Sequence, residues 1–300
     1  MYAIIGASGN TGGAIAGRLL AHGERVRVIG RDASRLQRFV QKGAEAFVAN
    51  ASDAVALAKG FQGAKAVYLM IPPNPAHPIV REDQERVSDA QVAAVQKAGV
   101  EYAVVLSSIG ADKPDKTGPV IGLHNFEQKL NGNARLKAVY LRAGYFMENI
   151  LPQVGVIKNF GTMGGPLRGD LKVAMIATQD IGAAAAEALL KLDFSGKQAR
   201  ELLGQRDLSY QELGPIIGKA IGNPGLGYMQ LGAAQLKPAL VQMGMSSSMA
   251  DLLLEMSEAL NSGYMAPLEP RSAKNTTPTS IETFVAEQFV PKFTGKTAGA

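Results

Sequence analysis

Hydrophobic and polar positions change rhythm along this chain. In the first half, short and nearly continuous apolar runs alternate with longer stretches in which apolar residues recur every three or four positions. The runs Tyr2–Ile5, Arg25–Ile29, Ala46–Ala49, Ala66–Ile71, Tyr102–Ser107 and Ala138–Leu141 read as strands. The stretches after Gly12 and over Ala33–Lys42, Asp53–Gly60, Glu82–Lys97 and Ile121–Leu130 read as amphipathic helices. Strands with no polar face are buried on both sides, which points to a parallel sheet covered by helices. Right-handed crossovers then make it a doubly wound α/β fold of the Rossmann type.

After about residue 150 strands become sparse. Val173–Ala177 is the best of them, with weaker ones at Arg200–Leu203 and Tyr228–Leu231. Helices dominate at Ile181–Lys191, Tyr210–Ile221, Ala233–Met243, Ser248–Leu260 and Ile281–Phe289. The pattern predicts a nucleotide-binding domain over 1–150 and a smaller, mostly helical substrate lobe over 151–300. The sheet can take one further strand from 172–177. The small, polar tail Thr294–Ala300 is expected to fray.

The densest chemical signal is at the start. A strand runs into Gly6-Ala-Ser-Gly-Asn-Thr-Gly12, with glycines at 6, 9 and 12, and a helix follows. In a βαβ unit, such a turn presents backbone N–H groups and a helix N-terminus to a dinucleotide pyrophosphate. Gly6 permits the turn, Gly9 lets phosphate approach, and Gly12 lets helix and strand pack closely. Ser8, Asn10 and Thr11 can add side-chain hydrogen bonds. The end of the second strand separates the two nicotinamide cofactors. An acid there accepts from the ribose 2′-hydroxyl, whereas an arginine pairs with a 2′-phosphate. Here Arg31 comes first, with Arg35 one turn on, so NADP(H) is preferred; Asp32 keeps NAD(H) possible.

Three further places face the crevice beyond the strand ends. Ser107 and Ser108 close the fifth strand and can bond the nicotinamide ribose or a substrate oxygen. His124 shares a helix face with Glu127 and can act as a general acid oriented by it. Tyr145, Phe146 and Met147 follow Arg142 at the join between the two halves, where apolar pockets form.

Composition narrows the field. The 300 residues are 46% hydrophobic, enough for a large core. There is no cysteine, which excludes disulfides, thiolate metal sites and a cysteine nucleophile. No histidine pair has metal-ligand spacing, so no metal is expected. The net charge of +5 is scattered, which fits an anionic cofactor better than specific nucleic-acid binding. No apolar run is long enough to span a membrane, and no signal-like leader is present. A cytoplasmic monomer or homodimer is the expectation.

Together these segments resemble the NmrA-like family of atypical short-chain dehydrogenases. The resemblance rests on the glycine loop, Ser107-Ser108, the His124…Glu127…Leu130 helix and Leu141-Arg-Ala-Gly-Tyr-Phe-Met-Glu-Asn149. Gln179-Asp180-Ile-Gly182 and Thr276–Phe284 extend it. It is nearest to bacterial reductases of quinones, azo dyes and triphenylmethane dyes. It implies NAD(P)H bound across the strand ends, with Ile71 and Pro72 among its contacts. It also implies hydride transfer to a flat, apolar, quinone-like acceptor. One departure matters: where typical short-chain dehydrogenases carry Tyr-x-x-x-Lys, this chain has His124-Asn-Phe-Glu-Gln128. That argues against alcohol–ketone chemistry. It also leaves open a non-catalytic NADP(H) sensor that acts through a protein partner.

Overall fold

The computed structural model describes residues 1–295. Its centre is a sheet of seven parallel strands. These are β1 (Tyr2–Ile5), β2 (Val26–Gly30), β3 (Glu45–Val48), β4 (Ala66–Leu69), β5 (Tyr102–Ser108), β6 (Lys137–Ala143) and β10 (Lys197–Leu202). They lie in the order β10-β6-β5-β4-β1-β2-β3. Successive side chains point to opposite faces, so one strand feeds two cores. Tyr2 and Ile4 pack with Ile15, Leu19, Ile181 and Leu189. Ala3 and Ile5 pack with Leu57, Phe61, Ala94 and Phe126.

Seven helices accompany the first part of the chain: α1 (Asn10–Ala21), α2 (Ala33–Val40), α3 (Ala54–Phe61), α4 (Val80–Ala98), α5 (Val120–Asn131), α6 (Gln153–Phe160) and α7 (Thr178–Lys191). Each predicted helix of the first half is present, with ends shifted by a residue or two. Asp32 and Asp53 cap α2 and α3 through their side chains, and Gly99 ends α4 in the left-handed conformation.

The second half departs from the expectation in how its strands are used. Residues 172–177 do not extend the main sheet. Val173–Ile176 is β9, which pairs with β7 (Tyr145–Phe146) and β11 (Asp207–Leu208) in a separate small sheet. The additional strand is β10, which the pattern showed only as a weak run. The physical reason is the crossover. Helix α7 packs on α1 beneath the sheet, where a Cβ on Gly182 would lie 2.5 Å from the Ala14 methyl. The chain leaving α7 therefore reaches the free edge of β6, and β10 occupies it over six residues. Elements beyond residue 150 thus belong to the sheet layer as well as to the lobe.

The lobe itself contains β8 (Met163–Gly165) paired with β12 (Tyr228–Gln230), α8 (Tyr210–Ile221), α9 (Ala233–Gln242) and α10 (Ser247–Asn261). It ends in α11 (Ile281–Phe284), which runs through a π turn at Val285–Phe289 into α12 (Val290–Thr294). Its core joins Met147, Ile150, Leu213, Ile217, Phe284 and Phe289. Thr294 closes α12, so it belongs to a helix; the expected fraying beyond Gly295 falls outside the described residues. Among the described residues no helix is long and apolar enough to cross a membrane.

One contact ties the main sheet to the small sheet at a backbone level. Gly204, just past β10, has φ of 72°, and a Cβ there would overlap the Met175 carbonyl oxygen of β9. Gly204→Ala is expected to cost on the order of 3 kcal/mol through strain and forced separation. Denaturant unfolding measures it; an unchanged midpoint would show that the two segments part freely.

Candidate functional site

The glycine loop forms as its spacing requires. Gly6 turns the chain at φ 69°, its N–H donates to Ile29 O at 3.1 Å, and its carbonyl accepts from Gly9 N at 2.9 Å. A Cβ on Gly12 would overlap the Gly6 carbonyl, so only glycine lets α1 begin this close to the end of β1. The first residue before α1 is Gly9, which offers no side-chain cap, and the first turn holds no acid. The leading N–H groups and the positive helix end are thus left for an anion. Asn10 is exposed beside them and Ser8 is half-buried. Thr11 corrects the expectation: its side chain is buried and accepts from the Tyr68 hydroxyl at 2.9 Å. That bond ties the Thr11 hydroxyl to β4, while its backbone N–H stays among the leading amides of α1.

The β2 end has a clear electrostatic character. Asp32 does not reach toward a ribose. Its Oδ1 accepts from the Ser34 backbone at 2.8 Å and the Ser34 hydroxyl at 2.7 Å, capping α2. Those bonds hold its carboxyl below the usual carboxylate range. Arg31 is exposed, and Arg35 crosses to the Ser8 carbonyl at 3.2 Å. Among the described residues neither arginine pairs with a carboxylate, so two guanidinium groups flank the loop. Across the loop, Met70 touches Gly6, and Ile71 and Pro72 stay half-buried at the end of β4.

The β5 and β6 ends hold the largest correction. Ser107 does not offer its hydroxyl to the crevice. It is 2% exposed and donates to Glu127 Oε1 at 2.5 Å. Glu127, equally buried, takes both arms of Arg142, at 3.1 Å from Nε and 2.6 Å from Nη2. This bond, more than any other effect, holds the Arg142 guanidinium above its ordinary range against the cost of burial. Glu127 therefore does not orient His124. The His124 Nδ1 lies 2.9 Å from the Ala111 carbonyl, which can only accept, so Nδ1 carries the proton. Nε2 makes no hydrogen bond among the described residues. Ser108 spends its hydroxyl on Ile109 O at 2.9 Å.

Beyond β6, three expected pocket residues separate. Met147 is 1% exposed and belongs to the lobe core, because the short 3₁₀ turn Met147–Ile150 points it inward. Phe146 packs toward the sheet core and stays half-buried. Tyr145 is half-buried, with its hydroxyl 3.2 Å from that of Tyr210. Glu148 accepts from Thr178 N at 3.0 Å and Thr178 Oγ1 at 2.5 Å, holding the start of α7. Asp180 accepts from Thr279 N and Oγ1, at 2.9 and 2.7 Å, which clamps the C-terminal segment onto the same helix. Ser209-Tyr-Gln-Glu212 is a capping box and marks where α8 starts. No sequence signal marks the Tyr210 hydroxyl as part of the site.

The pattern of the NmrA-like family matches residues 2–285. The chain belongs to the NmrA-like family. This NmrA-like protein is 28% identical to an NAD(P)H azoreductase of Xenophilus azovorans over 269 residues, 89% of each chain. It is similar in structure to the NADPH complex of an NADPH-dependent quinone oxidoreductase from Escherichia coli. There the TM-score is 0.76 at 22% identity, covering 100% of this chain and 96% of the other. A triphenylmethane reductase of Citrobacter sp. in complex with NADP(H) matches with TM-score 0.76 at 17% identity, over 100% of both chains. At these identities the structural likeness establishes the shared fold.

In this NmrA-like protein the buried charge network ties the ends of β5 and β6 to α5. Glu127→Ala, which strands Arg142, is expected to cost about 3–5 kcal/mol. Ser107→Ala is expected to cost about 1 kcal/mol. Urea unfolding tests both; a Glu127→Ala loss as small as that of Ser107→Ala would show that the pair is solvated.

Proposed function

We propose that the protein is a reductase that passes hydride from NADPH to a flat, apolar, electron-poor acceptor such as a quinone or a dye. The observation that carries the reading is the pair Arg31 and Arg35 beside an uncapped helix N-terminus, with Asp32 turned away. Two guanidinium groups without carboxylate partners suit a 2′-phosphate. The azoreductase relative supports the reaction class.

The residues fit the cofactor. The loop backbone from Gly9 to Gly12, with Ser8 and Asn10, would hold the pyrophosphate. Arg31 and Arg35 would hold the 2′-phosphate, and Ile71 and Pro72 would line the path along β4. When bound, the dihydronicotinamide supplies a hydride. Ser107 has no role in this reading beyond stability. His124 spends Nδ1 on the Ala111 carbonyl, which leaves Nε2 to contact the acceptor. Phe146 and Tyr145 bound the acceptor on the lobe side. With no Tyr-x-x-x-Lys on α5, the acceptor is one that takes hydride readily.

The first test is NADPH oxidation with a panel of quinones and dyes. Retained NADPH binding without turnover would refute the reductase reading in favour of a cofactor sensor. Arg31→Ala is expected to weaken NADPH by about 1.5–3 kcal/mol and leave NADH nearly unchanged. Calorimetry measures both, and equal losses would refute the phosphate assignment. His124→Ala is expected to raise the acceptor KM with kcat reduced less than about 10-fold; a loss of about 10² or more in kcat would make it a general acid instead.

A further inference from the structure

Tyr145 and Tyr210 share a single hydrogen bond, 3.2 Å between their oxygens. Two hydroxyls carry two protons, and only one can lie between them. Tyr210 opens α8, is 5% exposed, and has no other hydroxyl partner among the described residues. Its ring stacks on Tyr228 with centroids 4.5 Å apart, but the Tyr228 hydroxyl donates to Leu167 O at 2.8 Å. A buried O–H without an acceptor is costly. Tyr210 therefore donates and Tyr145 accepts. The half-buried Tyr145 keeps its own proton for a partner outside the pair. Burial raises both phenols, and the bond from Tyr210 offsets part of that rise at Tyr145.

The strand order says what that partner is. The arginines of the 2′-phosphate site lie at the end of β2, on one side of the β1 loop. A dinucleotide held by that loop extends the other way, across β4 and β5 toward β6. Tyr145 stands two residues after the last residue of β6. This is the side on which the acceptor must sit.

We infer that Tyr145 is the catalytic proton donor to an oxygen of the acceptor, and that Tyr210 is a positioning residue that holds its hydroxyl. The assignment rests on the reductase reading above and supplies its missing acid. Hydride brings the quinone two electrons and one hydrogen, and negative charge collects on an acceptor oxygen. The Tyr145 O–H bond breaks, an O–H bond forms on that oxygen, and hydroquinone results. The Tyr145 phenolate, steadied by the Tyr210 O–H, regains a proton from solvent. The dihydronicotinamide is the reductant and leaves oxidised. No imidazolium is needed.

Two acceptors with different proton demand test this. 1,4-Naphthoquinone needs a proton, whereas the malachite green cation takes hydride at its central carbon and becomes neutral without one. Tyr145→Phe is expected to lower kcat for the quinone by about 10²-fold and the dye rate by no more than about 3-fold, the difference between the two being the worth of the proton. Tyr210→Phe is expected to lower the quinone rate by about 2–10-fold, the worth of one neutral hydrogen bond, and to affect the dye less. The solvent deuterium isotope effect on quinone reduction should disappear in Tyr145→Phe, which decides the matter if the dye is not turned over. Naphthoquinone binding to the NADP⁺-loaded protein should weaken by about 2–10-fold in Tyr145→Phe, and more than dye binding does. Equal losses on both acceptors, or no loss on either, overturn the assignment. Wild-type protein that binds NADPH and turns over neither acceptor overturns the reductase reading, and the proton transfer with it. Even then, selective loss of naphthoquinone binding in Tyr145→Phe supports a hydroxyl that donates to ligand oxygen.

Discussion

The start of α1 can sit where it does only because nothing projects from Gly12 toward the Gly6 carbonyl. Everything else at the site is arranged around that approach. The Tyr68 hydroxyl bonds Thr11 from beneath, at 2.9 Å, and fixes the first turn to β4. Gly182 lets α7 press against Ala14, so a second helix backs the first. Glu148 and Asp180 then hold the start of α7 to the segment after β6 and to the C-terminal segment. The free amides of α1 are thus supported by buried contacts drawn from four parts of the chain. A helix end left uncapped costs hydrogen bonds unless water or a ligand supplies them. Here the scaffold keeps it rigid and open.

A second constraint shapes the opposite side of the crevice. A carboxylate and a guanidinium taken out of water must satisfy each other fully. Glu127 and Arg142 do so, and they draw the Ser107 hydroxyl into the same network. The strand end that looked richest in polar chemistry is consumed by structure. What stays available is sparse: the Nε2 of His124, the hydroxyl of Tyr145 and the apolar side of Phe146. In the reading proposed above, so few polar groups suit an acceptor whose own electronics drive hydride uptake.

Much of this was legible in the chain. Continuous apolar runs located the strands up to β6, and the three-to-four-residue rhythm located the helices between them, because burial on both faces and helix periodicity are local properties. The glycine loop was legible for the same reason. Other features were not. The run that becomes β10 carries Lys197, Gln198 and Arg200, polar residues that an edge strand tolerates, so its membership of the sheet is invisible locally. His124 and Glu127 share a helix face, yet each is drawn to a different partner from another element. Met147 follows Tyr145 and Phe146 in an apolar run, but a 3₁₀ turn sends it into the core.

The residues by themselves determined the doubly wound sheet, the glycine turn at Gly6–Gly12 that opens α1 without a cap, and the two arginines placed beside it. These follow from periodicity, from backbone freedom at glycine and from charge near one turn of chain. Only the tertiary structure decided how the polar side chains of the site are used. A hydroxyl or carboxylate acts through the group it meets, and here the decisive partners lie far apart in sequence. Ser107 meets Glu127 and Arg142, Thr11 meets Tyr68, and Tyr145 meets Tyr210, pairings that exist only once the strands and the lobe have packed.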